Sequence, residues 1–91
     1  MYSITPYTRE QARRIGVSIK PSRKVDKKLD VYRDGKYLGS IGAKGMGDYP
    51  TYLRTKGKEY AAERRRLYKK RHQNDRLIKG SKGWFADNLL W

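Results

Sequence analysis

The chain contains no cysteine, so it can form no disulfide, no thiolate metal site and no cysteine nucleophile. Histidine occurs once, as His72, which leaves an imidazole without the second His or Cys ligand that a zinc or transition-metal site draws on. No apolar run approaches the roughly 20 residues needed to cross a bilayer. The opening MYSITPYTRE also lacks the basic-then-apolar order of a secretory signal. A soluble, intracellular protein that is not secreted and engages no membrane is the expectation. Phosphate-binding signatures are missing too. No Gly-Lys-Ser/Thr occurs anywhere, and the glycines of GAKGMG, Gly42 to Gly47, stand in no βαβ unit. Carboxylates paired for acid–base or metal chemistry are equally absent: Asp34 sits in a turn signal, Asp48 in a cap signal, and Glu59 with Glu63 reads as helix-surface charge balance. No catalytic residue, metal site or cofactor is expected, and the protein is read as a non-enzyme.

Acids are scarce in general. Nine Asp and Glu stand against 23 Lys and Arg, a formal net charge of +14. Residues 1–45 carry 11 cations and 4 anions, residues 46–91 carry 12 and 5, so each half holds +7. The excess is spread over the chain and is not confined to a tail. Such self-repulsion costs stability and is relieved by a polyanionic partner. Eight tyrosines bring the aromatic content to 12%, which argues against a disordered basic tail, because those are aromatic-poor. At 91 residues the chain has the length of one small domain with a thin core.

Local signals order that domain. Thr8 and Gln11 fit a capping box that starts a short helix, with Ala12 and Ile15 on one face and Gly16 as its stop. Val17 and Ile19 suggest a brief extended segment before Pro21, and PSRKVDKK reads as a polar, basic loop. In KLDVYRDGKYLGSIG, Asp34-Gly35 is a strong two-residue hairpin signal. Its register opposes Arg33 with Lys36, Tyr32 with Tyr37, Val31 with Leu38 and Leu29 with Ser40. Leu29, Val31 and Leu38 then form the core face. The Tyr32–Tyr37 pair lies on the other, where it either packs under the long helix or stacks on unpaired bases. Asp48 can cap a short helical turn through Pro50 to Leu53, and Gly57 marks a break.

A long basic helix is expected from about Lys58 to Gln73. At 100° per residue, Tyr60, Ala61, Arg64, Leu67, Tyr68 and Arg71 gather on one side. Lys58, Arg65, Arg66 and Lys69 gather on another, with Ala62 among them. The first side is expected to pack and the second to face solvent. The WFADNLLW ending, with two tryptophans, a phenylalanine and two leucines, is apolar enough that it must dock. The expected fold is therefore a single small α+β domain over residues 1–91: short helix, β-hairpin, long basic helix, docked C-terminal aromatic segment.

SIGAKGMGDYPTYL, GKEYAAERRRLYKKRH and the GWFADNLLW ending together resemble a family of small basic proteins encoded by nucleocytoplasmic large DNA viruses of algae and amoebae. The resemblance runs from Tyr7 to Trp91. It implies a viral origin, with a place in the virion or inside the infected cell, and carries no activity. The functional expectation is sequence-independent binding of nucleic acid, viral DNA first, by phosphate neutralisation through Lys58, Arg65, Arg66, Lys69 and Lys70. Lys44, in the glycine loop, is a supporting contact. A second reading makes the chain a virion structural protein, a minor capsid or core component held by protein–protein contacts.

Overall fold

The computed structural model, which describes residues 2–91, has seven elements. They are α1 (Pro6–Ile15), β1 (Ser18–Pro21), β2 (Lys27–Arg33), β3 (Lys36–Ala43), α2 (Tyr49–Lys56), α3 (Lys58–Arg71) and α4 (Lys82–Leu90). The class is α+β. Helix, hairpin, long basic helix and apolar C-terminal helix follow one another as expected; β1 adds a third strand to the hairpin. The chain divides into two units, Met1–Met46 and Gly47–Trp91, taken in turn below.

In the first unit, α1 begins three residues earlier than the Thr8 capping box implies. Thr5 is the N-cap, its hydroxyl accepting from the Thr8 amide at 3.3 Å, and Pro6 occupies the first turn. Proline there has its φ already set and no amide to satisfy, so Thr-Pro outcompetes the later box. Thr8, freed from capping, is fully buried beside Ala12. Gly16 ends the helix in the left-handed conformation, as expected.

The sheet is antiparallel in the order β1-β2-β3. Asp34 and Gly35 have φ of 53° and 76°, the two positive values that a type I′ turn demands and that a β-branched residue resists. Tyr32 faces Tyr37 and Arg33 faces Lys36, as the turn dictates. Beyond that pair the expected register fails. Val31 lies opposite Gly39, and Leu29 opposite Ile41, with an irregularity between Val31 and Tyr32. Leu38 is thus the extra residue of a bulge.

A slip of one residue exchanges the faces of a strand, and both consequences are visible. Ile41 joins Leu29 and Val31 in the core, all three nearly or wholly inaccessible, while Leu38 remains half-buried. Full burial of each such side chain contributes about 1.5–3 kcal/mol. Ser40, expected opposite Leu29, lies opposite Asp30 instead.

That exchange solves a polar problem. Asp30 is buried, and a buried carboxylate is costly unless it is hydrogen-bonded. Ser40 Oγ donates to its Oδ1 at 2.5 Å, Ser22 Oγ donates to the same oxygen at 2.6 Å, and the Arg23 amide donates to Oδ2 at 3.4 Å. Burial alone pushes the carboxyl up, but these donors outweigh it and hold the group below its ordinary value.

In the second unit, Asp48 caps α2 by accepting from the Thr51 amide at 3.0 Å. The helix runs past the expected Leu53 to Lys56. Gly57, with φ of 93°, separates α2 from α3, and the two helices pack together. Ser81 caps α4 by accepting from the Trp84 amide at 3.1 Å. Phe85, Leu89 and Leu90 of α4 are buried, so the apolar ending does dock. Among the described residues no helix is long and apolar enough to cross a membrane.

Candidate nucleic-acid interface

Seven of the 14 residues of α3 are cationic and two are acidic, so the question is which of the seven meet solvent. Burial falls on Ala61 and Tyr68. The Tyr68 ring stacks on Trp91 with centroids 4.5 Å apart and planes 9° apart, and on its other side lies the His72 ring at 4.4 Å. Tyr52 of α2 closes the row against Trp91 at 6.3 Å. Burial, reinforced by Asp87 and Asp75, pushes the Tyr68 hydroxyl up to about 12.

This aromatic row sets the rotation of α3. Lys69 points to Asp87, its Nζ donating at 2.8 Å, with the two side chains 33% and 11% exposed. Arg76 approaches the same carboxylate at 3.8 Å. Arg65 Nε donates to the backbone oxygen of Trp91 at 2.6 Å, and its guanidinium lies 3.8 Å from the Tyr49 ring centroid. Arg65 and Lys69, expected to face outward, therefore belong to the inner side. Leu67 and Tyr60, expected inside, are 37% and 44% exposed. At 100° per residue the packed arc is turned by about 90° from the one that spacing suggests.

The correction has a physical cause. The apolar residues of α3 are few and scattered around the helix, so its own pattern selects no face strongly. The nonlocal partners on α4, Trp91 and Asp87, select it instead. One sequence signal did exist: the supposed packed side contained Arg64 and Arg71, and arginines are almost never fully buried without a carboxylate partner.

Of the other expected contacts, Lys58 and Lys70 are exposed. Arg66 is exposed but engaged by Glu63, which accepts from Nε at 3.1 Å and from an Nη at 2.6 Å. Lys44 lies in the first unit, half-exposed in the turn after β3, its amide donating to the Asp26 carbonyl at 3.0 Å. Its glycine loop forms a tight turn that follows Gly42 and Ala43 of the strand. His72 is half-buried, stacked on Tyr68, with Nδ1 3.4 Å from Asp75.

The residues missed by helical spacing are Arg64 and Arg71. With Leu67 and Lys70 they line one open surface depression, and Arg64 also lies over the Tyr52 ring at 5.7 Å. Lys58, Arg64, Lys70 and Arg71 make no ion pair among the described residues, whereas Glu63 is spent on Arg66. Taking the Glu63–Arg66 pair as neutral, the solvent side of α3 carries these four cations against Glu59, with Lys58, Lys70 and Arg71 exposed and Arg64 half-buried at its edge. What such a surface can do is neutralise successive phosphates. No protein-family model, no curated protein and no solved structure matches the chain.

Proposed function

We propose that the protein binds nucleic acid without sequence preference, through the solvent side of α3. The observation that carries this reading is the segregation of charge on that helix. Arg65 and Lys69 are consumed by packing, Arg66 by Glu63, and Lys58, Arg64, Lys70 and Arg71 are left without a carboxylate partner. Four cations on one helix reach several phosphates, and the affinity of such a contact comes mainly from counterion release. Contacts to phosphates fix a protein on the backbone and carry no sequence information, which fits binding without sequence preference. The resemblance to proteins of large DNA viruses supports viral DNA as the polyanion.

A salt titration tests the reading. Binding to generic duplex DNA is expected to be micromolar or tighter at low salt. Its log–log salt slope is expected at about −4 to −7, from 0.9 per phosphate for five to eight contacts, the four cations of α3 supplemented by exposed loop cations. No binding at low salt, or a flat response, would favour the alternative of a virion structural protein that contacts capsid or core components. That alternative has one observation on its side: Leu77 and Ile78, adjacent in the turn after α3, are both exposed.

A further inference from the structure

We propose that the sheet face of the first unit carries a separate site for unpaired bases, with the Tyr37 ring as its stacking surface. The inference rests on the reading above that the partner is nucleic acid. It concerns which form of it the first unit takes.

Tyr37 is 48% exposed although it lies in a strand. Its neighbours hold it in place. The Tyr32 ring meets it edge-on at 5.7 Å, and Lys20 Nζ sits 5.4 Å over the Tyr32 ring. Tyr32 is thus occupied and serves as a buttress, while Tyr37 keeps an open side.

The hydroxyl of Tyr37 is fixed as well. It lies 2.6 Å from Ser40 Oγ. Ser40 has one hydroxyl proton and gives it to Asp30, so Tyr37 must be the donor to Ser40. The chain Tyr37–Ser40–Asp30–Ser22 continues to the Lys24 amide, which donates to Ser22 Oγ at 3.1 Å. A half-exposed ring is thereby anchored to a buried carboxylate through the bulge that brought Ser40 onto this face.

An aromatic ring fixed before its ligand arrives loses little entropy on binding. Lys20 stands on the same face, and Lys36 and Arg33 flank the turn from the other side, Arg33 donating to the Ile15 carbonyl at 3.3 Å, against Asp34. A ring beside cations that reach a backbone phosphate suits a base with its face free. Duplex bases are stacked on each other and offer only their edges, so this site selects unpaired strand.

The test is anisotropy titration of the full chain with a labelled oligothymidine of about 15 nucleotides and with a duplex of equal length. Parent, Tyr37→Ala, Tyr37→Phe and Tyr37→Leu are compared, with thermal melts on the same samples. Tyr37→Ala is expected to weaken single-strand binding about 5-fold to 150-fold, the effect of losing one stacked base. Duplex binding should stay within about twofold, since phosphate contacts dominate it. Tyr37→Phe should remain near the parent and Tyr37→Leu should not, because the π face and not apolar area is the requirement. Equal weakening for both oligonucleotides, no weakening for either, or full rescue by leucine overturns the proposal. Duplex binding by the parent without single-strand binding overturns this site alone. Binding to neither also overturns the role of α3.

Discussion

Neutralising Arg64, Lys70 and Arg71 as R64Q/K70Q/R71Q separates the surface that the structure exposes from the one that helical spacing selects. Three lost phosphate contacts should shift the salt slope by about 2.7 toward zero, from the range of −4 to −7 to about −1.3 to −4.3. Extrapolated from a common value near 1 M salt, that is roughly 500-fold weaker binding at about 0.1 M. The fold should tolerate the change. Arg64, half-buried, gives up its position over the Tyr52 ring, about 0.5–2 kcal/mol. Lys70 and Arg71 are exposed, and such substitutions stay within about 0.5 kcal/mol.

The counterpart R65Q/K69Q removes two charges from the inner side. It leaves Asp87 with only the 3.8 Å approach of Arg76. Breaking a fully buried pair costs about 3–5 kcal/mol; with Lys69 one-third exposed, about 1–3 kcal/mol is expected. Its salt slope in the folded protein should stay near the parent's. Duplex titration at four or more salt concentrations, with thermal melts on the same samples, measures both quantities. An unchanged slope in the triple variant, or a larger slope change in R65Q/K69Q, would refute the assignment of the faces.

Three further outcomes follow from individual residues. Gly35→Val should destabilise the hairpin by about 1–2 kcal/mol purely through its positive φ, since a Cβ there meets nothing within 4 Å; an unchanged melt would contradict the turn. Leu67→Ala should cost less than about 1 kcal/mol because the side chain is exposed, whereas Leu89→Ala, wholly buried, should cost about 2–5 kcal/mol by leaving a cavity; denaturant melts that reverse this order would contradict the rotation of α3. Tyr68 is pushed up to about 12 while an unfolded tyrosine ionises near 10. Its contribution is therefore complete below about pH 10 and lost as pH rises to about 12, roughly 2–3 kcal/mol in all. Stability followed against pH in the parent and in Tyr68→Phe should diverge only in that alkaline window, and parallel curves through it would refute the shift.

Features decided within a few residues were legible in the sequence. The Asp34-Gly35 turn, the Gly16 stop, the Asp48 cap and the Gly57 break each depend on one side chain's conformational or hydrogen-bonding preference, and each occurs as expected. Choices between two local signals were harder: Thr5-Pro6 and Thr8-Gln11 both announce a helix start, and only the proline ranks them. The bulge was not legible. Nothing in GKYLGSIG signals an extra residue except Gly39, and its cause lies ten residues away, in a buried Asp30 that needs Ser40 beside it. The face of α3 was illegible for a similar reason. Its partner surface is 18 to 26 residues downstream of Lys69 and Arg65, at Asp87 and Trp91, and spacing within the helix gives only the warning that Arg64 and Arg71 fell on the supposed packed side.

Those nonlocal partners bear on function because they remove acids from the surface faster than cations. Asp30 and Asp48 are buried and Asp87 is nearly so, each used to hold backbone or side-chain donors in place. Three of nine anions are thus withdrawn from solvent. Among 23 cations, Lys28 is the buried one, with Lys27, Lys44, Arg64, Arg65, Lys69 and Arg76 half-buried. Glu10 and Glu63 are engaged by arginines on their own helices. A solubility role needs only a net charge away from zero and is served by either sign in mixture. Spending the few carboxylates on caps, a buried hydrogen-bond network and one inner ion pair, while leaving four lysines and arginines of α3 unpartnered, serves a polyanion.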